Sequence, residues 1–257
     1  MRFYWIPGPD RDEESGEYVA SVTTILGKTA GEKSQQMLAQ WNERNPGARE
    51  AAAERGTAIH AACEAHVRGR KVEVAPEYLP FWEGLARHLD KFDYFVWSEK
   101  PLRPDWNFCI SPDGYARVWS HTHKYSGCPD LVGVRKGLGV ILDFKTSVAP
   151  YARYFPSETN RCQFGGWAKF SKTCTQLGAY SMAFEETLDF EVDMGEILVT
   201  TPETTQSFLL YPHELHGARY RFRQRVQQFH EIMATEQAAE QAAQLAIAPP
   251  QLQLMSA

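Results

Sequence analysis

The feature that most constrains this 257-residue chain is an apolar run that ends in charge. Gly139-Val140-Ile141-Leu142 has the composition of a buried strand, and it leads straight into Asp143-Phe144-Lys145. On a strand, positions 143 and 145 point to one face. Upstream, Gly127-Cys128-Pro129-Asp130 opens a second β-rich run, Leu131-Val132-Gly133-Val134, and Arg135-Lys136-Gly137-Leu138 joins the two as a hairpin turn. The hairpin brings Asp130 alongside Asp143, so two carboxylates and an ammonium converge. Buried unpaired, each charge would cost several kcal/mol. A divalent cation between the carboxylates removes that cost, and hard oxygen ligands suit Mg²⁺ or Mn²⁺. Lys145 is then placed to orient an attacking water or to neutralise charge in a transition state. D-x-K alone also fits an ordinary exposed ion pair; the core-type strand before it favours the buried arrangement.

The rest of the chain alternates helical and strand patterns. Ser21 or Thr23 can cap a short helix ending near Gly27. Met37, Leu38 and Trp41 lie at helical spacing within 32–45, and an Ala-rich helix is expected over 48–67. A further helix over 78–95 carries Phe81, Trp82, Leu85, Leu89 and Phe92 on one stripe, with a strand starting at 96. Residues 148–175 read as irregular, 176–186 as helix, 196–201 and 206–211 as a strand pair, and 219–235 as a last helix. The order predicts an α/β (α+β-like) domain over 1–235: a central mixed sheet over 96–211 flanked by helices, with a helical block at 32–95 in front. Residues 236–257, rich in Ala and Gln, read as a frayed helix and flexible tail.

Composition excludes several classes. No run approaches 18 apolar residues, so no transmembrane helix is expected, and the first ten residues lack the pattern of a signal peptide. The net charge of −5 argues against coating nucleic acid by bulk electrostatics, though not against a local basic path. Five cysteines without a C-x-x-C argue against a disulfide framework or a four-cysteine zinc site, and a reducing cytoplasm is the expected compartment. Gly27-Lys28-Thr29 lacks the upstream glycine of a phosphate loop. His213-Glu214-Leu215-His216 has its histidines three apart rather than four, unlike a zinc-protease helix. Between 148 and 175, Arg153, Arg161, Lys169 and Lys172 interleave with aromatic residues that include Trp167. That pattern suits phosphate contact and base stacking on a single strand, and equally a partly packed surface loop.

Several segments, taken in order, resemble the PD-(D/E)xK nucleases, in particular the RecB-like branch with its phage-type exonucleases and the mitochondrial genome maintenance exonuclease. They are Ser21-Val22-Thr23-Thr24-Ile25-Leu26, Arg55-Gly56-Thr57-Ala58-Ile59-His60, Cys128-Pro129-Asp130, Ile141-Leu142-Asp143-Phe144-Lys145 and Gln176-Leu177-Gly178-Ala179-Tyr180. The resemblance covers about residues 18–235 and implies a restriction-endonuclease-like core. It also implies that His60, Asp130, Asp143 and the Phe144 carbonyl hold Mg²⁺ or Mn²⁺, with Glu99 as a further candidate ligand. Lys145 would be the catalytic lysine, and Gln176 and Tyr180 would hold its side of the site and the substrate phosphate. No cysteine follows Cys174, so the iron–sulfur cluster of some related nucleases is not expected.

The implied activity is a metal-dependent DNA exonuclease of phage or bacterial recombination, repair or replication. Its substrate would be single-stranded DNA or duplex ends, and a recombinase or single-strand-binding protein would be a possible partner. The alternatives are a structure-selective endonuclease of the same superfamily and a catalytically silent DNA-binding recombination scaffold.

Overall fold

A computed structural model of the protein describes residues 1–12, 14–111, 114–157 and 164–247. The fold is mixed α/β, built on two mixed sheets flanked by helices. The larger sheet runs in the order β3-β6-β7-β8-β9, formed by Tyr94–Ser98, Leu131–Arg135, Leu138–Thr146, Met194–Thr200 and Thr205–Leu210. The smaller runs β1-β2-β5-β4, formed by Phe3–Ile6, Glu17–Ser21, Tyr125–Gly127 and Val118–Ser120. The helices are α1 (Val22–Lys28), α2 (Glu32–Arg44), α3 (Ala48–Val67), α4 (Leu79–Leu89), α5 (Phe164–Leu188) and α6 (Pro212–Ile247).

The hairpin of β6 and β7 forms as its residues dictate. Lys136 and Gly137 both adopt positive φ, 53° and 75°, the two-residue turn whose twist matches that of the flanking strands. Alternation along β7 then divides the core. Val140, Leu142 and Phe144 pack with Ile59, Phe81, Trp82 and Leu85 of α3 and α4. Ile141 belongs to the opposite core, with Leu177 and Phe184 of α5 and Phe222 of α6. β7 and β8 are parallel, so the chain must cross over between them, and α5 lies in that crossover. Gly178 lets α5 and α6 meet: a Cβ there would lie 2.5 Å from the Ala218 carbonyl carbon.

Several boundaries differ from the sequence expectation. Residues 148–175 are not irregular throughout, because α5 begins at Phe164. Gly165-Gly166 has the low helix propensity of a loop, but Gly166 is where the Pro150–Ala152 backbone crosses, and a Cβ would lie 2.8 Å from the Pro150 carbonyl oxygen. The last helix starts at Pro212, a favoured first-turn position, and runs through Gly217 to Ile247, well into the expected tail. α4 stops at Leu89, since the chain at Asp93 turns to donate its N–H to Val134 and enter β3. The N-terminal strands and the second sheet were not foreseen. α2 forms as expected, but none of its residues is buried, and Met37, Leu38 and Trp41 stay exposed.

A polar cluster lies within the α4 side of the large sheet. Glu196 on β8 is fully buried and accepts from His88 Nε2 at 2.6 Å, Ser207 Oγ at 2.5 Å and Arg135 at 2.8 Å. Burial raises its carboxyl pKa, but the hydrogen bonds of His88 and Ser207 and the charges of His88 and Arg135 outweigh this and hold it below the ordinary value. The stabilisation is therefore complete above the unfolded carboxyl range near ~4.3 and is lost as pH falls through the lower folded value. Glu196→Ala takes the buried carboxylate from the Arg135 guanidinium, which is only 15% exposed, and from His88, and is expected to cost about 3 kcal/mol in urea denaturation at neutral pH. An unchanged midpoint would show that the cluster contributes nothing to stability.

Candidate active site

The register of the hairpin assembles the centre. Leu131 pairs with Leu142, so Asp130 and Asp143 are the next residues along the two strands. Asp130 Oδ2 accepts the Phe144 N–H at 3.1 Å, tying the end of one strand to the next. The preceding Pro129 carbonyl accepts from Trp97 Nε1 at 3.0 Å, and Trp97 is fully buried. Asp130 is thereby held in place from two strands.

Asp143 is fully buried, and its Oδ1 has no hydrogen-bond partner. Its Oδ2 lies 2.6 Å from Lys145 Nζ, which is 4.0 Å from Asp130 Oδ2. Burial raises the Asp143 carboxyl above its ordinary range; the Lys145 ammonium opposes that, and the Asp130 charge adds to it. Lys145 loses solvation too, but the charges of Asp143 and Asp130 and the Asp143 hydrogen bond raise its pKa, so the ammonium persists. A buried carboxylate oxygen without a partner is a cost that native structures seldom leave standing.

His60 arrives from α3 and packs its ring on Phe144, with centroids 4.3 Å apart and planes inclined by 49°. Its Nδ1 stands 2.5 Å from Glu99 Oε1. Burial alone would lower the imidazole pKa; the Asp130 charge and the Glu99 hydrogen bond and charge outweigh it and raise the value. Glu99 is itself tightly placed. It adopts φ of 51°, a conformation costly for a residue with a side chain, and its N–H donates to the Asp130 carbonyl at 3.0 Å. The Cys128 thiol donates to the Glu99 carbonyl at 3.3 Å. Burial, then the charges of Glu99 and Asp130, push the Cys128 pKa up, so the group keeps its proton and remains a donor.

Gln176 and Tyr180 sit one turn apart on α5, with Gln176 Nε2 donating to the Tyr180 hydroxyl at 3.2 Å. Gly127 makes room for the Tyr180 ring, as a Cβ there would lie 2.5 Å from it. The tyrosine pKa is raised, by burial first and then by the Asp130 charge, which places its hydroxyl in the field of the same centre. Glu64, one turn beyond His60, is spent on Arg68 at 2.9 Å and Arg70 at 3.1 Å.

The structure thus brings the Lys145 ammonium within 4.0 Å of both the Asp143 and Asp130 carboxylates, with Phe144, His60, Glu99 and Tyr180 close by and Gln176 joined through Tyr180. Among the described residues, no three His, Cys, Asp or Glu side chains already stand together as a metal cage. The Lys145 ammonium takes the place nearest both carboxylates, and His60 is turned to Glu99. The two carboxylates are hard oxygen donors of the kind a divalent ion takes, and the Asp143 oxygen without a partner is the one such an ion would satisfy.

The residues expected to touch nucleic acid are dispersed. Arg153 donates to Glu214 at 2.5 Å and to the Leu209 carbonyl at 3.0 Å, anchoring its segment to β9 and α6. Lys169 and Lys172 are exposed on α5, Lys169 with its ammonium 5.9 Å from the Tyr151 ring centroid. Trp167 lies edge-to-face with Phe155 at 4.8 Å and tilted against Phe164 at 5.6 Å. Arg161 lies outside the described residues. Sequence reasoning missed Trp97 and Cys128 as supports of the centre; both act through backbone carbonyls, which leave no mark in side-chain spacing. No family model matches the chain, and no curated protein matches its sequence. Among the described residues, no helix is long and apolar enough to cross a membrane.

Proposed function

We propose that the protein is a divalent-metal-dependent DNA exonuclease of PD-(D/E)xK type, with a restriction-endonuclease-like core of the RecB-like branch. The single observation that carries this reading is the fully buried Asp143, with one oxygen unpartnered, and with the Lys145 ammonium set against both it and Asp130 at the open end of a core hairpin. Asp130, Asp143, the Phe144 carbonyl and one nitrogen of His60 would hold Mg²⁺ or Mn²⁺. When bound, that ion supplies a Lewis acid and lowers the pKa of a coordinated water. Because Glu99 engages Nδ1, Nε2 is the ring nitrogen left for a ligand, and a carboxylate on the other nitrogen is the usual support of a metal-binding histidine. Glu99 then orients His60 rather than ligating. Lys145 stabilises the negative charge that develops on the phosphoryl oxygens, and Gln176 and Tyr180 fix the substrate phosphate from the α5 side.

Phe155 and Phe164 are exposed beside Trp167 and offer rings for a single strand to stack on, and Lys169 and Lys172, exposed on α5, are the ammonium groups its phosphates would meet. Replacing both lysines with alanine is expected to reduce the salt slope of log K for single strands by about 1.4, from ~0.7 per contact. Titration over a range of salt concentrations reads it, and an unchanged slope would remove these lysines from the DNA path.

A time course on end-labelled linear, circular and blocked-end DNA with Mg²⁺ or Mn²⁺ tests the activity. Linear strands shortened from an end, with circles left intact, are expected. Circles cut as fast as linear strands would replace the exonuclease by a structure-selective endonuclease, and binding without cutting would leave the DNA-binding scaffold.

A further inference from the structure

A half-enclosed cleft of about 430 Å³ opens beside Asp130 and Glu99, lined further by Tyr4, Lys100, Tyr115 and Arg117. We propose that it is the subsite for one nucleotide unit of the strand, with the base against the tyrosine rings and a phosphate toward Lys100. This deepens the nuclease reading of the neighbouring centre and rests on it.

Four observations carry the assignment. The volume falls in the range of pockets that take one small ligand, ~300–1,000 Å³, rather than that of a flat protein interface. The lining combines the carboxylates of Asp130, Glu99 and Glu64 with the Tyr4 and Tyr115 rings and the cations of Lys100 and Arg117. A nucleotide matches the ring-and-cation part of that lining, with a flat base for the rings and an anion for the ammonium. The aromatic wall is built rather than incidental. The Arg117 guanidinium carbon lies 4.2 Å from the Tyr4 ring centroid and 5.8 Å from that of Tyr115. Ser111 donates twice to the Tyr115 carbonyl, at 2.9 Å from its N–H and 2.7 Å from its hydroxyl, so the ring is presented from a fixed backbone although it is 66% exposed. Lys100 is exposed and its backbone is pinned, the carbonyl accepting from the Ser98 N–H at 2.9 Å. Its ammonium has no partner among the described residues. Flat rings beside cations favour a stacked base with its phosphate over an aliphatic acid.

The assignment is tested by titrating the full chain, free of divalent metal, with a deoxynucleoside 5′-monophosphate, followed by calorimetry. The matching deoxynucleoside and inorganic phosphate are titrated in parallel. The nucleotide is expected to bind more tightly than either fragment. Tyr115→Ala and Lys100→Ala should each weaken it about tenfold, and Tyr115→Phe should bind as the intact protein does. On a linear strand, Tyr115→Ala should raise KM with kcat little changed. Nucleotide binding no tighter than phosphate, or unaltered by both alanine variants, overturns the subsite whether or not DNA is cut. Binding lost in both variants, in a protein that cuts no DNA with Mg²⁺ or Mn²⁺, keeps the subsite and overturns the nuclease reading alone.

Discussion

Lys145→Ala is expected to lower the single-turnover rate of Mn²⁺-dependent strand cleavage by at least ~10²–10³, the usual effect of removing one group that stabilises transition-state charge. Lys145 Nζ lies 2.6 Å from Asp143 Oδ2 and 4.0 Å from Asp130 Oδ2. On the proposed reading, its removal takes away the cation that would face the reacting phosphate but leaves both carboxylates. Metal affinity should therefore be kept or strengthened, and DNA affinity should stay within a few fold of wild type. Cleavage within about tenfold of wild type would remove Lys145 from the mechanism.

Asp143→Asn separates binding from chemistry in the other direction. Saturating the intact protein with Mn²⁺ at about 100 times Kd should stabilise it by ~2.7 kcal/mol. At ~2–4 °C per kcal/mol for a domain near this size, Tm should rise by about 5–10 °C. Asp143→Asn replaces the carboxylate whose Oδ1 lacks a partner with a neutral amide, so the rise should fall to near zero, measured from the variant's own metal-free baseline. Cleavage should be lost with it. Asp130→Asn should behave alike, while Lys145→Ala should keep the Mn²⁺-induced rise. A full rise in Asp143→Asn would show that the buried carboxylate is not a ligand.

Much of the fold was legible where neighbours in sequence decide conformation. Helix α3 spans Ala48–Val67 as its Ala-rich pattern predicts, and Ser21 caps α1 by accepting the Thr24 N–H at 3.0 Å. The β6–β7 turn follows from Lys136-Gly137 alone. The smaller sheet was not legible, because β2 pairs in parallel with Tyr125–Gly127, more than a hundred residues away, and three-residue strands carry no periodicity of their own. The early starts of α5 and α6 were hidden by Gly165-Gly166 and Gly217. Gly166 looks like a breaker until the packing is seen, since it admits the Pro150–Ala152 backbone, whereas a Cβ at Gly217 would meet only the Arg221 side chain of its own helix and no packing calls for glycine there.

The sequence by itself determined that Asp130, Asp143 and Lys145 meet. A two-residue turn sets the register of the hairpin, and the period of two along a strand sets the shared face. Only the tertiary structure decided that Asp143 is sealed from solvent with an unpartnered oxygen, that Glu99 holds His60 by its ring, and that Tyr4, Lys100 and Tyr115 close a cleft beside them. Those contacts join segments far apart in the chain. Burial and approach of that kind come from how helices and sheets pack, and residue spacing along one strand carries no record of it.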